Sequence, residues 1–323
     1  MSILRDSAIL VTGGTGSFGQ EFTRYALAEL GPREIVIFSR DELKQYEMRL
    51  RFGADPRIRW VIGDIRDRDS LVRAMHGVDH VVHAAALKQV DTAEFHPYEY
   101  TRTNIYGSQN VVAAAVETGV RKIVALSTDK ASSPINLYGA TKMVADKLFT
   151  APNSGDVGFA VVRYGNFVGS RGSVIPLFRR LAGEGGALPI TDKRMTRFWI
   201  TLDQAVRFAV DSFDMMRGGE LFVPRSPSMK IADLAEAVAP GCPTFEVGIR
   251  PGEKLHEEMI AAEDSYRTFE LADRYVVLPT VGGVPGGGRP VSPGFTYRSD
   301  TNDVWLSTAE LRTLVEPTGV RST

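Results

Sequence analysis

The first thirty residues leave this chain few folds to choose from. Residues 7–12, Ser-Ala-Ile-Leu-Val-Thr, form an apolar run of strand length. Gly13-Gly14-Thr15-Gly16-Ser17-Phe18-Gly19 follows, and a helical pattern then runs to about Leu30. Glycines at 13, 16 and 19 let the backbone approach a pyrophosphate, which rests on the N-terminus of the helix behind them. A glycine-rich turn alone is weak evidence, but a strand before it and a helix after it are the context the dinucleotide fingerprint requires. Gly13, Thr15, Gly16, Ser17, Phe18 and Gly19 are therefore candidate dinucleotide contacts, against the plainer reading of a tight turn.

Apolar runs recur at 34–38, 58–62, 80–85, 121–125 and 159–162, separated by helical stretches. Strands alternating with helices in this way predict an α/β protein with a doubly wound parallel sheet of Rossmann type. Ligands of such sheets bind beyond the carboxyl ends of the strands. After the second run come Ser39, Arg40, Asp41 and, one turn on, Lys44. Arg40 and Lys44 suit a ribose 2′-phosphate, so NADP is the expected cofactor. Asp41 reads as a helix N-cap or as the acid that would favour NAD instead. After the third run, Asp64 and Ile65 are candidates for the adenine, with helix capping by Asp67 as the competing reading. After the fourth, Ala84-Ala85-Ala86 is small and flat enough to lie under a ribose or nicotinamide, and equally suits tight packing; Lys88 stands just beyond. His76, His80 and His83 have metal-like spacing, but Gly77-Val78-Asp79 interrupts any helix through them, and no metal site is expected. A helical pattern from 97 to 118 ends at Gly119, a C′ glycine. On it, Asn104 is either a buried amide bonded to neighbouring backbone or a surface residue.

The fifth run leads into Leu126-Ser127-Thr128-Asp129-Lys130, and Tyr138-Gly139-Ala140-Thr141-Lys142 follows shortly. Tyr138 and Lys142 are four apart and share a face if the segment from Asn136 is helical. An ammonium beside a phenol lowers its pKa, which would make Tyr138 a base near neutral pH. The tyrosine–lysine spacing is common by chance; the acid, the lysine and the threonine eight to ten residues upstream raise its weight.

The chain has 323 residues, enough for one large or two modest domains at roughly 100–200 residues each. With 38 basic against 39 acidic residues, nothing points to a nucleic acid or an anionic membrane. Cys242 is alone, so no intramolecular disulfide forms, and a reducing compartment fits. No signal-peptide hydrophobic region opens the sequence, and no apolar run of about 18 residues is present; a cytoplasmic protein with no membrane partner is expected. After Arg163-Tyr164-Gly165-Asn166 the character changes, becoming rich in glycine and arginine. The expected division gives residues 1–166, with 198–224 returning to them, to a dinucleotide-binding domain, and 167–197 with 225–323 to a substrate domain. Thr201-Leu202-Asp203-Gln204 is a capping box that opens another helix. The Gly/Pro-rich segment 281–294 reads as mobile or as a lid.

The pattern resembles the extended short-chain dehydrogenase/reductase superfamily and, within it, the inverting UDP-N-acetylglucosamine 4,6-dehydratases of the pseudaminic acid pathway. The resemblance covers nearly the whole chain. It is carried by residues 11–19, 38–44, 127–131, 134–142, 163–166, 169–176, 196–201 and 250–259, of which Thr128-Asp129-Lys130 and Arg250-Pro251-Gly252-Glu253-Lys254 are the most specific. It implies that Tyr138, activated by Lys142, takes the proton of the sugar 4-hydroxyl while hydride leaves C4, with Thr128 holding the same oxygen. It further implies Lys130, in its neutral form, as the base at C5, and protonated Asp129 assisting loss of the 6-hydroxyl. Hydride then returns to C6 of the same sugar. Arg250, with Arg197 and Arg171 behind it, would meet the diphosphate; Glu253 the nucleotide ribose; Asn166 and Lys88 the sugar or diphosphate; Val174 and Pro176 the uracil. The substrate implied is UDP-N-acetylglucosamine, and the assembly a homo-oligomer, dimer or hexamer, paired through the helices at 97–118 and 136–149. A UDP-sugar 4-epimerase, a retaining dehydratase and a non-catalytic NADP-binding protein are the alternatives. An epimerase needs Thr128, Tyr138 and Lys142 but not the acid and base at 129 and 130.

Overall fold

The computed structural model describes residues 2–151, 156–169, 174–279 and 287–316. Strands β1 (Ala8–Thr12), β2 (Glu34–Ser39), β3 (Ile58–Ile62), β4 (His80–His83), β5 (Lys122–Thr128) and β6 (Gly158–Tyr164) lie in the order β3-β2-β1-β4-β5-β6 and pair in parallel. Alternate side chains leave each strand on opposite sides, and both sides are covered. Ile9, Val11, Ile35, Ile37, Val82 and Val124 meet Phe22 of helix α1 (Ser17–Tyr25) and Phe213 of the helix Leu202–Met215. Leu10, Val36, Val81, Ile123 and Val161 meet Leu71 and Val111 of the helices on the other side. This double burial is why the strands read as unbroken apolar runs rather than alternating ones. The strand order reverses at β1 and β4, which opens a crevice at their carboxyl ends.

The sheet does not end at β6. Leu221–Pro224 adds to it in parallel, and Arg274–Val277, Thr268–Glu270 and Arg289–Pro290 then continue it antiparallel. Of the stretch 198–224 assigned to the first domain, 221–224 joins the main sheet while 198–200 belongs to a separate three-stranded sheet, and the three later strands of the main sheet fall inside the segment assigned to the other domain. They are two to four residues long and each carries a charged residue, so they give little signal of membership in a buried sheet. The smaller lobe holds a three-stranded sheet of Asn166–Phe167, Thr196–Ile200 and Ser228–Lys230, and an apolar cluster of Trp199, Leu234 and Leu311.

Local signals set the helix boundaries. Asp41 accepts from the backbone N–H of Lys44 and caps Glu42–Phe52; Asp67 caps Arg68–Met75; Thr201 and Gln204 form the expected capping box. The helical pattern at 97–118 is realised as Pro97–Tyr100, a π-helical segment Thr101–Tyr106, and Gly107–Thr118, ending at Gly119 with φ 71°. Asn104, in the π-helical segment, is buried: its amide accepts from Leu87 N and donates to Leu87 O and Thr141 Oγ1. Of the Gly/Pro-rich segment 281–294, residues 281–286 lie outside the described residues, as do 152–155, 170–173 and 280. Among the described residues no helix is long and apolar enough to cross a membrane.

Candidate active site

A cavity of about 490 Å³ opens along the crevice, within the range usual for small-ligand sites. Its lining includes Gly13, Thr15, Gly16, Ser17, Phe18 and Gly19 of the glycine turn, and Ser39, Arg40 and Lys44 beyond β2. It also takes in Asp64 and Ile65 beyond β3, Ala84, Ala85, Ala86 and Lys88 beyond β4, and Tyr138 and Lys142. Every residue assigned from sequence to the dinucleotide thus borders one space. Thr103, Leu126, Ser127 and Phe167 also line it and carried no sequence signal of doing so. The residues present fit a dinucleotide. Helix α1 begins at Gly16 with no side-chain cap, so its first N–H groups are left for a ligand. Gly13 has φ 65°, and a Cβ there would come 2.9 Å from Ala85 Cα. At the far end, Arg40 is 3.9 Å from Asp64 and Lys44 2.7 Å from Asp41, both cations remaining about half exposed.

At the other end stands the helix Leu137–Thr150, capped by Asn136, whose side chain accepts from Gly139 N and donates to Gly252 O. Gly139 is required here: a Cβ would collide with the Lys130 carbonyl. Tyr138 is thereby set beside Thr128, which hydrogen-bonds it. The expectation that Lys142 lowers the phenol's pKa is corrected. Lys142 Nζ donates to Leu126 O at 2.8 Å, and burial depresses its own pKa, opposed by Asp146. Burial pushes Tyr138 up to about 12, moderated by Lys130 and Thr128 rather than by Lys142.

Thr128, Asp129 and Lys130 lie beyond the cavity wall, at the end of β5, in a buried charge cluster. Asp129 is fully buried; its Oδ1 accepts from Thr128 Oγ1 and from Lys130 Nζ, each at 3.0 Å, while Oδ2 has no partner. Lys130 Nζ also lies 3.1 Å from Oε1 of Glu257, itself 2% exposed. Arg197 Nε approaches the same oxygen at 3.7 Å. Burial and then the Glu257 charge raise the pKa of Asp129, with Lys130 and Arg197 opposing the rise, so it gives up its proton less readily than an exposed carboxyl. Burial works against the Lys130 ammonium, but Asp129 and Glu257 override it and raise its pKa. A neutral Lys130, the form expected of a base, is therefore not its resting state. Glu257 is the residue that sequence reading missed. It lies within the 250–259 motif, but nothing in the spacing of Glu257 and Glu258 marks which one turns inward.

The proposed substrate residues scatter. Arg197 is buried, donates to the carbonyls of Thr196 and Leu255, and faces Glu257 and Glu253 instead of open space. Arg250 is exposed, 3.2 Å from Asp91 and 3.5 Å from Glu253. Asn166 pairs along the small sheet with Trp199, Val174 packs on the apolar clusters of the small lobe, and Pro176 is exposed. Arg171 lies outside the described residues.

Fold and site together define the class, an extended short-chain dehydrogenase/reductase with a tyrosine–lysine pair at the crevice. More narrowly, the chain belongs to the family described as polysaccharide biosynthesis proteins, whose model matches residues 9–279. It is 50% identical to a UDP-N-acetylglucosamine 4,6-dehydratase (inverting) of Campylobacter jejuni, over 96% of this chain and 97% of that protein. It is 42% identical to a UDP-glucose 4-epimerase of Rickettsia canadensis, over 84% of this chain and 82% of that one. Among solved structures it resembles Pen of Bacillus thuringiensis, with a TM-score of 0.90, 38% identity, and 97% of this chain and 98% of that chain covered. A dTDP-glucose 4,6-dehydratase of Streptomyces venezuelae, solved with NAD bound, matches with a TM-score of 0.70 and 28% identity over 76% of this chain and 86% of that chain.

Proposed function

We propose that this protein is a hydro-lyase that dehydrates UDP-N-acetylglucosamine to a UDP-4-keto-6-deoxy sugar with inversion at C5. The observation that carries this reading is the buried Asp129 with Lys130 at 3.0 Å, directly behind Thr128 at the end of β5. Bound NADP supplies the acceptor and donor for hydride leaving C4 and returning to C6, and ends as it began. Tyr138, protonated at rest, takes the 4-hydroxyl proton only after its own has left to solvent, and Thr128 holds the oxygen. Asp129 gives its proton to the departing 6-hydroxyl. Lys130 keeps 21% of its side chain exposed and is the cluster's group nearest solvent; it exchanges the C5 proton only after passing on its own. NADP is favoured over NAD because Arg40 and Lys44 stand at the cavity mouth with exposed charge to offer a 2′-phosphate. A homo-oligomer is the proposed assembly; Tyr106, Val116 and Met143 leave apolar surface exposed on the two helices that would pair. Sedimentation showing a single 35.4 kDa species at micromolar concentration overturns that part.

Incubation with UDP-N-acetylglucosamine in deuterated water tests the whole. The product should lose one water, carry one solvent deuteron at C5, and emerge inverted there by proton NMR. The second reading, a 4-epimerase, is favoured only by relatives of that name. It predicts no loss of water and no label at C5. A retaining dehydratase predicts the label with the original configuration.

A further inference from the structure

The segment 252–258 of the smaller lobe lies along the loop that carries Asp129 and Lys130, and it is fastened there at three points. Gly252 O accepts from the Asn136 side chain at 2.7 Å, and Lys254 Nζ donates to Ser132 O at 2.7 Å. Glu258 Oε1 accepts from the hydroxyls of Ser132 at 3.2 Å and Ser133 at 2.8 Å. Leu255 and Glu257, between these points, turn their backbone to the smaller lobe instead. Leu255 O accepts from Thr196 N and from Arg197, and Glu257 exchanges two bonds with Ser299. We infer that Lys254 and Glu258 are positioning residues, which hold the turn Asp129–Ala131 in place for elimination while oxidation at C4 does not depend on them. The purpose rests on the proposed reaction; the hold itself is tested without it.

The turn is weak by itself. It is three residues of 3-10 helix, ended at Ser132, whose N–H donates to Asp129 O at 3.1 Å. Such turns have poorer hydrogen-bond geometry than an α-helix. Ser133, next along, has φ 42°, a left-handed conformation uncommon outside glycine, and a residue so placed persists where its surroundings over-determine it. Lys254 takes the carbonyl of the C-cap residue with a charge-assisted bond, and Glu258 takes both hydroxyls there. From below, the Lys130 carbonyl rests on Gly139, where no Cβ fits. Lys130 is thus gripped between the helix of Tyr138 and the segment 252–258. The groups that act on the 4-hydroxyl are fixed differently. Thr128 ends β5 in register with Tyr164, and Lys142 is bonded to Leu126 O. The helix of Tyr138 has the Asn136 cap on Gly139 N and the Glu94 carboxylate on Leu137 N. None of these bonds uses Lys254 or Glu258. Misplacing a reacting group by about an ångström costs about 10²-fold in rate, and on release of the loop that cost falls on Asp129 and Lys130.

Hydrogen exchange of backbone amides in the full-length protein without substrate tests the hold. In Lys254→Met and in Glu258→Ala the amides of residues 129–133 should exchange roughly 10-fold faster or more, the scale of one charge-assisted bond, with those of β5 unchanged. Lys254→Arg and Glu258→Gln, which keep the donor and the acceptor, should recover most of the protection. Two variants at separate anchors keep the test decisive if one of them does not fold. Exchange at the parent rate in the disrupting variants overturns the proposal. Its consequence is read from nicotinamide absorbance with NADP and UDP-N-acetylglucosamine. Lys254→Met should slow the loss of water by roughly 10²-fold with KM little changed, while cofactor is reduced at the parent rate, so that reduced nicotinamide accumulates; Lys254→Arg should clear it. Equal slowing of both steps, or of neither, overturns the division between them, and a mere loss of folded protein would give the first of these. If the parent itself removes no water from the sugar, the dehydratase reading falls, and the exchange result alone decides whether the segment holds the loop.

Discussion

Lys142 and Lys130 sit either side of Tyr138, both drawn into the protein, and burial has opposite outcomes for them. At Lys142 the opposing pull of Asp146 is too weak, and desolvation wins: the lysine's pKa falls, and that of Tyr138 rises to about 12. Around Lys130 two carboxylates face the ammonium at 3.0 and 3.1 Å, and attraction wins: its pKa rises. The same loss of water disfavours charge on one side and is outweighed by ion pairing on the other. What decides is the number of opposite charges within reach, which repays desolvation only when geometry is close. The cleft therefore suits the removal of a proton from a sugar hydroxyl and a hydride from its carbon, which together carry no net charge.

The sharpest way to break this comparison is at Tyr138, where the two regions meet. Tyr138→Phe should lower the rate by roughly 10²–10⁴-fold, the usual range for a positioned acid–base group, and no reduced-nicotinamide absorbance should appear on adding substrate. Turnover within a few-fold of the parent would mean that the cleft does not need its phenol. Lys130→Ala should instead separate the regions. Oxidation at C4 belongs to the cleft and should survive; elimination belongs to the cluster and should stop, so reduced cofactor accumulates at saturating substrate. Dehydration at near the parent rate would remove Lys130 from the chemistry.

How far sequence carried the reading follows the same divide. The cleft is assembled from short local signals, each a strand end and the few residues after it. Gly13 to Gly19, Ser39, Asp64 and Ala84 to Ala86 could all be found from the strand pattern alone. Asp129 and Lys130 were legible for the same reason, standing at the end of β5. The charge pairing of the cluster was not, because Glu257 and Arg197 reach it from more than sixty residues away, and only folding fixes which of them come within 4 Å. The role given to Lys142 failed in a related way. Helical spacing put it on the right face, but not toward Leu126 O. Arg197, read as a phosphate ligand because it is an arginine in a family motif, proves to be a partner of Glu257.

A smaller effect is expected at the mouth of the cleft, where charge is exposed and screened. Arg40→Ala should weaken NADP by about 1.5–3 kcal/mol, the scale of one charge-assisted contact, or roughly 10- to 100-fold, and leave NAD almost unchanged. Titration of both cofactors into cofactor-free protein measures this. An Arg40→Ala protein that prefers NADP as strongly as the parent would assign the 2′-phosphate to other residues.

The least effect should be one on stability alone, in the floor beneath the cleft. His83, at the end of β4, is 1% exposed; Nδ1 is 2.8 Å from Thr12 Oγ1, and Nε2 is 3.3 Å from Ser108 Oγ. No carboxylate offsets its burial, and Lys142 adds to it, so its pKa is lowered from 6.5 to about 3. It belongs with Lys142 and Tyr138, as a group whose charged form burial disfavours. The consequence has a definite sign. Below pH 6.5 the unfolded chain takes up a proton at this position that the native state refuses, so stability falls as pH falls and keeps falling until about pH 3. Between pH 6.5 and 5 the loss is about 2 kcal/mol, at about 1.4 kcal/mol per pH unit. His80, lowered to about 4 by burial against an opposing Asp79, adds a parallel loss. Urea unfolding at pH 6.5, 5.8 and 5 should therefore show a slope that His83→Gln cuts by about half. The window stops above the range where most carboxylates titrate, so their contribution does not mask it. An unchanged slope in His83→Gln would mean that the floor of the cleft admits charge, and the contrast drawn between the two lysines would lose its third member.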